Sequence, residues 1–132
     1  MKFQPERPEG VNLISHHTPG EIKVGQQIYP GSVLVPWQGQ VQVWPPRGLS
    51  QLHSAHFSQV LELGPELVIF GSGQRLRFPH PSLLHILMAS RIGVETMDTA
   101  AACRTYNVLV SEGRRVVAAL LDSSLETQDM SR

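Results

Sequence analysis

The sequence predicts a mixed α/β sandwich in which helices pack against a central sheet and a smaller antiparallel sheet lies beside it. Two observations carry this prediction. The N-terminal third contains short runs with strand periodicity, separated by turn signals. From residue 67 to residue 121 the pattern is strand, helix, strand, helix, strand, which implies at least one βαβ crossover.

Short strands are predicted in the N-terminal third, the first over residues 11–15. Glu21–Val24 alternates polar and apolar residues with the period of two that is typical of a half-buried strand. Gly25 and Gln26 suit a type II′ hairpin turn, because glycine accepts the positive φ of its first position, so residues 27–29 should form the returning strand. Two further short strands are predicted over residues 33–35 and 40–43.

The middle of the chain predicts a helix and then a buried strand. Phe57, Val60 and Leu61 have the spacing of one face of a short amphipathic helix, which should end near Gly64. Residues 67–70 are apolar throughout, and this is typical of a strand covered on both faces.

A second helix is predicted to begin at Pro81, because proline fits the first helical position. Gly93 is expected to close this helix, because glycine adopts the left-handed C-terminal cap with little steric cost. A strand over residues 94–97 should follow. The apolar face of the helix would consist of Leu83, Leu84, Leu87 and Met88.

A third helix should start after that strand, where Asp98 or Thr99 can accept hydrogen bonds from N–H groups of the first turn, and it should end at Gly113. Residues 116–121 are apolar throughout, so we predict that this last strand lies at the centre of the sheet. The buried stripe of the third helix would consist of Ala102, Tyr106, Leu109 and Val110.

The length of 132 residues predicts a single domain, with an ordered core over about residues 11–121 and a flexible tail over residues 122–132. Eleven Lys and Arg balance eleven Asp and Glu, and this net charge of zero argues against a nucleic-acid partner. Residues 1–10 lack the apolar run of a secretory signal, and no apolar stretch approaches the roughly 20 residues of a membrane span. We therefore expect a cytoplasmic protein without direct membrane insertion, as a monomer or weak dimer.

The strongest candidate for a functional site is the loop that follows residues 67–70. Gly71, Ser72, Gly73 and Arg75 lie at the carboxyl end of a strand, where α/β folds place ligands. The loop lacks the third glycine of a dinucleotide site, the Gly-Lys-Ser/Thr ending of a P-loop and the flanking glycines of a nucleophile elbow. A tight turn with a permissive backbone is therefore the first interpretation.

An anion site shared with Asp98 and Thr99 is the second interpretation of this loop. If the two preceding strands are adjacent, the N–H groups of the loop, the helix N-terminus and Arg75 would favour a carboxylate or phosphate. The charge of Asp98 would oppose that anion unless the carboxylate is used for capping.

The histidines of this sequence do not predict a metal site, and no cofactor is expected. His53 and His56 are three residues apart and His16 and His17 are adjacent, but no Cys or carboxylate stands at zinc-ligand spacing around them. Because neighbouring strand residues point to opposite faces, His16 and His17 should not share an ion.

Four other residues invite a functional interpretation. Cys103 lies beyond the first turn of its helix, so we predict a buried and inert thiol. Trp37 and Trp44 flank a proline-rich loop, where they either pack under the loop or form a partner surface. Asn107 is expected to bond to the backbone of its own helix.

Residues 93–114, GVETMDTAAACRTYNVLVSEGR, together with residues 67–73, LVIFGSG, resemble a widespread family of small α/β proteins labelled as a domain of unknown function. The resemblance covers about residues 11–121 and fits the bacterial, stand-alone form. The same family includes a mitochondrial assembly factor of respiratory complex I and an adipogenesis-associated vertebrate protein.

This resemblance implies a three-layer sandwich with a mixed central sheet, in which the last strand is inserted among the others and runs antiparallel to most of them. It carries over no catalytic residues. It implies a non-enzymatic accessory protein that binds an unidentified protein partner and assists the assembly of a membrane or respiratory complex. The alternative is a protein or enzyme that binds a small anionic ligand through residues 71–75 and the helix start at Asp98 and Thr99.

Overall fold

The computed structural model describes residues 10–122 and 124. Within these residues the chain forms two sheets and three α-helices. The first sheet contains β1 (Ile14–Thr18), β2 (Glu21–Val24) and β3 (Gln27–Pro30). The second contains β4 (Val33–Pro36), β5 (Gln42–Val43), β6 (Leu67–Gly71), β7 (Gly93–Met97) and β8 (Val116–Leu120). The helices are α1 (Ser54–Leu61), α2 (His85–Ala89) and α3 (Thr99–Ser111), with 3-10 turns at Leu49–Gln51 and Pro81–Leu84.

The small sheet is the predicted antiparallel meander, in the order β1-β2-β3. Val24 pairs with Gln27 across a two-residue turn, and Gly25 has a φ of 58°, which the first position of a type II′ turn requires. The first strand lies three residues later than predicted, because Val11 forms only an isolated bridge with Gln38. The predicted hairpin is confirmed.

The central sheet has the strand order β5-β4-β8-β6-β7. The last strand is inserted between β4 and β6, as expected, but its predicted direction is wrong: β8 is parallel to β6, which is itself parallel to β7, and it is antiparallel to its neighbour β4. The reason is the crossover through α3, because a helix that returns the chain along the sheet makes the following strand parallel to the preceding one.

Helices and the meander cover both faces of the central sheet. Successive residues of β8 alternate between two buried clusters, so that Val116 and Ala118 face α3 and the meander whereas Val117 and Ala119 face α1 and α2. All of β8 and residues 68–71 of β6 are buried. The predicted three-layer sandwich and its doubly covered strands are confirmed.

The second helix is shorter than predicted. A 3-10 turn precedes α2, and the left-handed position after the helix is Arg91, with a φ of 61°, not Gly93. Gly93 instead pairs with Leu67 as the first residue of β7, so the chain must already be extended there. Met88 was expected on the apolar face but is 63% exposed, because the helix ends within one turn of it.

Asp122, the expected first residue of a flexible tail, is buried. Its N–H donates to Ser32 Oγ at 2.7 Å, and its carboxylate lies 3.7 Å from the guanidinium of Arg47. Ser124 also donates to this carboxylate. Of the predicted tail over residues 122–132, residue 123 and residues 125–132 lie outside the described residues. None of the described helices is long and apolar enough to span a bilayer.

Candidate functional site at the end of the parallel strands

The carboxyl ends of β6, β7 and β8 meet at one edge of the central sheet. Gly71 is opposite Met97 of β7 on one side and Leu120 of β8 on the other. This pairing brings the loop after β6 next to the start of α3. The sequence therefore placed the two candidate segments together correctly.

Thr99 ties the loop to the helix start. It is fully buried, and its Oγ1 accepts a hydrogen bond from the N–H of Gly73 at 2.9 Å and donates to the carbonyl of Leu121 at 3.0 Å. The N–H of Thr99 donates to the carbonyl of Gly73 at 2.8 Å. A Cβ on Gly71 would lie 2.9 Å from Thr99 Oγ1 and 3.0 Å from Thr99 Cα, so glycine is required for this close approach.

Ser72 fixes the course of the loop itself. Its N–H donates to the carbonyl of Met97 at 2.9 Å, its hydroxyl donates to the carbonyl of Arg75 at 2.6 Å, and the N–H of Arg77 donates back to that hydroxyl at 3.0 Å. The side chain is buried. The loop is therefore held by short hydrogen bonds at both ends.

The start of α3 is capped from within the chain. Asp98 is the N-cap residue, and its carboxylate accepts the N–H of Ala101 at 2.8 Å. The N–H groups of Ser72 and Gly73 and the hydroxyl of Thr99 are already bonded within the protein, and Arg75 is exposed. The anion-site interpretation stays a prediction, whereas these bonds give the residues a clear structural role.

The same loop presents two large apolar side chains to solvent. Leu76 is 54% exposed and Phe78 is 69% exposed, whereas the following Pro79 is buried. Neither residue has a predicted role from the sequence, because neither side chain carries reactive or charged groups. The available signal was an apolar pair that lies in no predicted helix or strand.

A second region of interest lies where β1 contacts α3. The side chain of Asn107 accepts the N–H of Ile14 at 2.9 Å and donates to the carbonyl of Ile14 at 2.7 Å, so the expectation of a bond within its own helix is wrong. The hydroxyl of Tyr106 lies 2.8 Å from the carbonyl of Asn12. These contacts hold the two elements beside a cleft of about 250 Å³, which we name the β1–α3 cleft. Its lining consists of residues 14–17 of β1 and of Ala100, Cys103, Arg104 and Asn107 of α3.

His17 faces inward because β1 contains a bulge. Ile14 pairs with Val24 but His16 pairs with Lys23, so one extra residue shifts the register and places His17 opposite the buried Ile22. Directly opposite residues share a face, so His17 points to the covered side and His16 to the other, as predicted for adjacent strand residues. Burial is the main cause that lowers the pKa of His17, and nearby His16 lowers it further, against the opposing effects of Asp98 and Asp122.

Acidification is expected to destabilise the protein in part through His17. The unfolded chain titrates near the ordinary pKa of 6.5, and the folded chain titrates lower, so below pH 6.5 the unfolded chain binds more protons and the free energy of unfolding falls. Denaturant unfolding between about pH 7.5 and pH 5 measures this. His17→Gln should make the fall shallower, and His85→Gln, an exposed histidine on α2, should not; equal slopes for wild type and His17→Gln would contradict the assignment.

The cysteine and the two histidines at the start of α1 have structural roles. Cys103 is buried, as predicted, and burial raises the pKa of its thiol to about 12, which keeps the thiol in its neutral form. His56 Nδ1 accepts the N–H of His53 at 2.9 Å, so this pair caps the start of α1. Among residues 10–122 and 124, no group of three His, Cys, Asp or Glu side chains could hold a metal ion.

The sequence also matches a described family. A family model named as a protein of unknown function (DUF498/DUF598) matches residues 14–121. The chain belongs to this family. The resemblance inferred from residues 67–73 and 93–114 is thereby confirmed.

Proteins from other organisms resemble this chain over most of its length. The chain is 34% identical to mouse NADH dehydrogenase (ubiquinone) 1 alpha subcomplex assembly factor 3, over 95% of this chain and 68% of the mouse protein. It is similar to a crystal structure of a Bordetella parapertussis protein, with a TM-score of 0.81 and 36% identity over 87% of this chain and 99% of that one. The solution structure of a Xanthomonas campestris protein has a TM-score of 0.77 and 38% identity, over 95% of each chain. These structures confirm the fold class.

Proposed function

We propose that this protein is a non-enzymatic accessory protein that binds another protein during the assembly of a membrane or respiratory complex. The observation that carries the proposal is the 34% identity, over 95% of this chain, to a mouse protein named as an assembly factor of NADH dehydrogenase. The chain covers about two thirds of that relative, 68% of its length, so the relative's partner is a proposal for this chain.

The loop after β6 is the part of the surface that we assign to the partner. Leu76 and Phe78 expose apolar side chains that a partner could bury, and aromatic residues are enriched at the centres of interfaces. Ser72, Gly73 and Thr99 hold the loop in place through the hydrogen bonds described above. A loop that is already ordered loses little conformational entropy on binding. Arg75 lies one position before Leu76 and would belong to the same contact surface.

A photo-cross-linking amino acid at position 78, in cells that normally make the protein, tests the partner directly. We expect adducts with a subunit or another assembly factor of the NADH dehydrogenase complex. The matched control places the same amino acid at position 108 on α3, where Val108 is 58% exposed. Adducts at position 78 that equal those at position 108, or that contain only proteins unrelated to a membrane complex, would overturn the proposal.

The double variant Leu76→Ser/Phe78→Ser should weaken partner binding at least about tenfold, since buried aromatic anchors at interfaces contribute more than 1 kcal/mol each. Its free energy of unfolding should stay within about 0.5 kcal/mol of wild type, because both side chains are exposed. Val108→Ser serves as the control for loss of an exposed apolar side chain. Unchanged assembly of the complex in cells that make the double variant would count against the loop as the contact surface.

A further inference from the structure

The β1–α3 cleft has the size of a site for a small molecule. Its volume of about 250 Å³ equals that of roughly eight water molecules at 30 Å³ each, which suits a small organic acid or phosphate ester. It lies on the side of the central sheet covered by α3, and it does not include the loop after β6 that we assign to the partner. A ligand there would therefore be a second function of the molecule.

Hydrogen bonds hold the walls of the cleft in place. Asn107 uses both its carbonyl and its amide on the backbone of Ile14, so β1 cannot slide along α3 without breaking two hydrogen bonds. The Ser15 hydroxyl lies 3.1 Å from the carbonyl of Gly25 and 3.3 Å from that of Lys23, at the position of the bulge. Bulges often redirect a side chain beside a binding site, and this one turns His17 toward the covered side.

Polar side chains that line the cleft are available to a ligand. In the described part of the chain, no hydrogen bond or ion pair occupies the guanidinium of Arg104 or the imidazole of His17. Arg104 supplies a fixed positive charge and a planar set of donors that match a carboxylate or phosphate. A neutral imidazole can donate one further hydrogen bond.

We propose that the β1–α3 cleft binds a small molecule that carries a carboxylate or phosphate group, with Arg104 and His17 as its ligands. The guanidinium holds the oxyanion, and the bulge in β1 brings the imidazole to the same cleft. Asp98 and Asp122 are the carboxylates that act on His17, and the carboxylate of Asp98 accepts the N–H of Ala101. Cys103 lines the cleft as a neutral thiol and adds no charge.

Backbone amide NMR spectra of the full chain, titrated with inorganic phosphate and separately with acetate at constant ionic strength, test this site. We expect saturable shifts at residues 14–17 and 100–107, with chloride as the probe that produces none. A response to phosphate alone would indicate a ligand with a phosphate group, and a response to acetate alone would indicate a ligand with a carboxylate. The Arg104→Gln variant should bind at least about tenfold more weakly, because it loses a charge-assisted hydrogen bond. Arg115→Gln removes an exposed arginine elsewhere and should bind like wild type.

The same titration separates the cleft from the loop after β6. Shifts confined to residues 71–75 and abolished by Arg75→Gln would overturn the cleft proposal and support the anion site predicted from the sequence. Shifts in the cleft that Arg104→Gln and Arg115→Gln reduce equally would also overturn it, because they would show only general screening of charge. The His17→Gln variant should weaken binding less than Arg104→Gln, because glutamine keeps a neutral donor and no charge is lost.

Discussion

Replacing Thr99 by valine is expected to lower the free energy of unfolding by about 2–6 kcal/mol. Valine has nearly the same shape but no hydroxyl, so the N–H of Gly73 and the carbonyl of Leu121 would lose their partner. Thr99 is fully buried, and each buried polar group without a hydrogen bond costs about 1–3 kcal/mol. Urea denaturation of the purified variant measures the change.

Thr99→Ser is the matched control, because it keeps the hydroxyl and removes one methyl group. It should cost about 1 kcal/mol, the usual effect of a small buried truncation. Hydrogen exchange at Gly73 should rise in Thr99→Val and change little in Thr99→Ser. If both variants lost equal stability, the contribution of Thr99 would come from packing and not from the tie between the loop and the helix.

Replacing Trp44 by alanine should lower the free energy of unfolding by about 3–5 kcal/mol, the range for large aromatic truncations in a core. Trp44 is 1% exposed and packs edge-on against Phe57, with ring centroids 5.8 Å apart, and against Phe70 at 6.2 Å. Its Nε1 also donates to the carbonyl of His56 at 3.3 Å. The alanine variant would leave a cavity between the central sheet and α1, and thermal unfolding would show it.

Val43 supplies the control for this substitution, since it precedes Trp44 and is 70% exposed. Val43→Ser should change the free energy of unfolding by no more than about 0.5 kcal/mol. Comparing Trp44→Ala with Val43→Ser distinguishes a Trp44 that packs under the loop from a Trp44 that forms a partner surface. A loss of partner binding in Trp44→Ala without a loss of stability would contradict the packing that the structure shows.

Elements whose signal is local could be predicted from the sequence. The strands β6 and β8 were recognised because an unbroken apolar run indicates burial on both faces whatever its neighbours are. The cap at Asp98 was recognised because its hydrogen bond reaches only three residues along the chain. Gly25 was placed correctly in its turn because a two-residue turn is formed by neighbouring residues.

Features that depend on distant residues could not be predicted. Asn107 bonds to Ile14, 93 residues away in sequence, and nothing in the spacing of either segment indicates this contact. The end of α2 is set by the pairing of Gly93 with Leu67, which forces Arg91 into a conformation that glycine would adopt more readily. Amphipathic spacing alone could therefore not locate that boundary.

The candidate site shows the same division. Adjacent parallel strands could be expected to bring Gly73 and Thr99 together, and they do. Whether the hydroxyls of Ser72 and Thr99 face a ligand or the surrounding backbone depends on the exact position of the loop, which a linear pattern does not contain. The bulge that turns His17 inward was equally invisible, because one extra residue in a strand leaves no mark on the composition of the segment.

The insertion of β8 has a consequence for how the protein is made on the ribosome. β4 and β6 are both neighbours of β8 and do not pair with each other, so the middle of the sheet stays open until the last of the described strands has been synthesised. The nascent chain must therefore hold two apolar strand edges unpaired during translation, a state that favours aggregation or chaperone binding. Truncation before Val116 would leave a chain that has synthesised seven of the eight described strands and still cannot join the two parts of its central sheet.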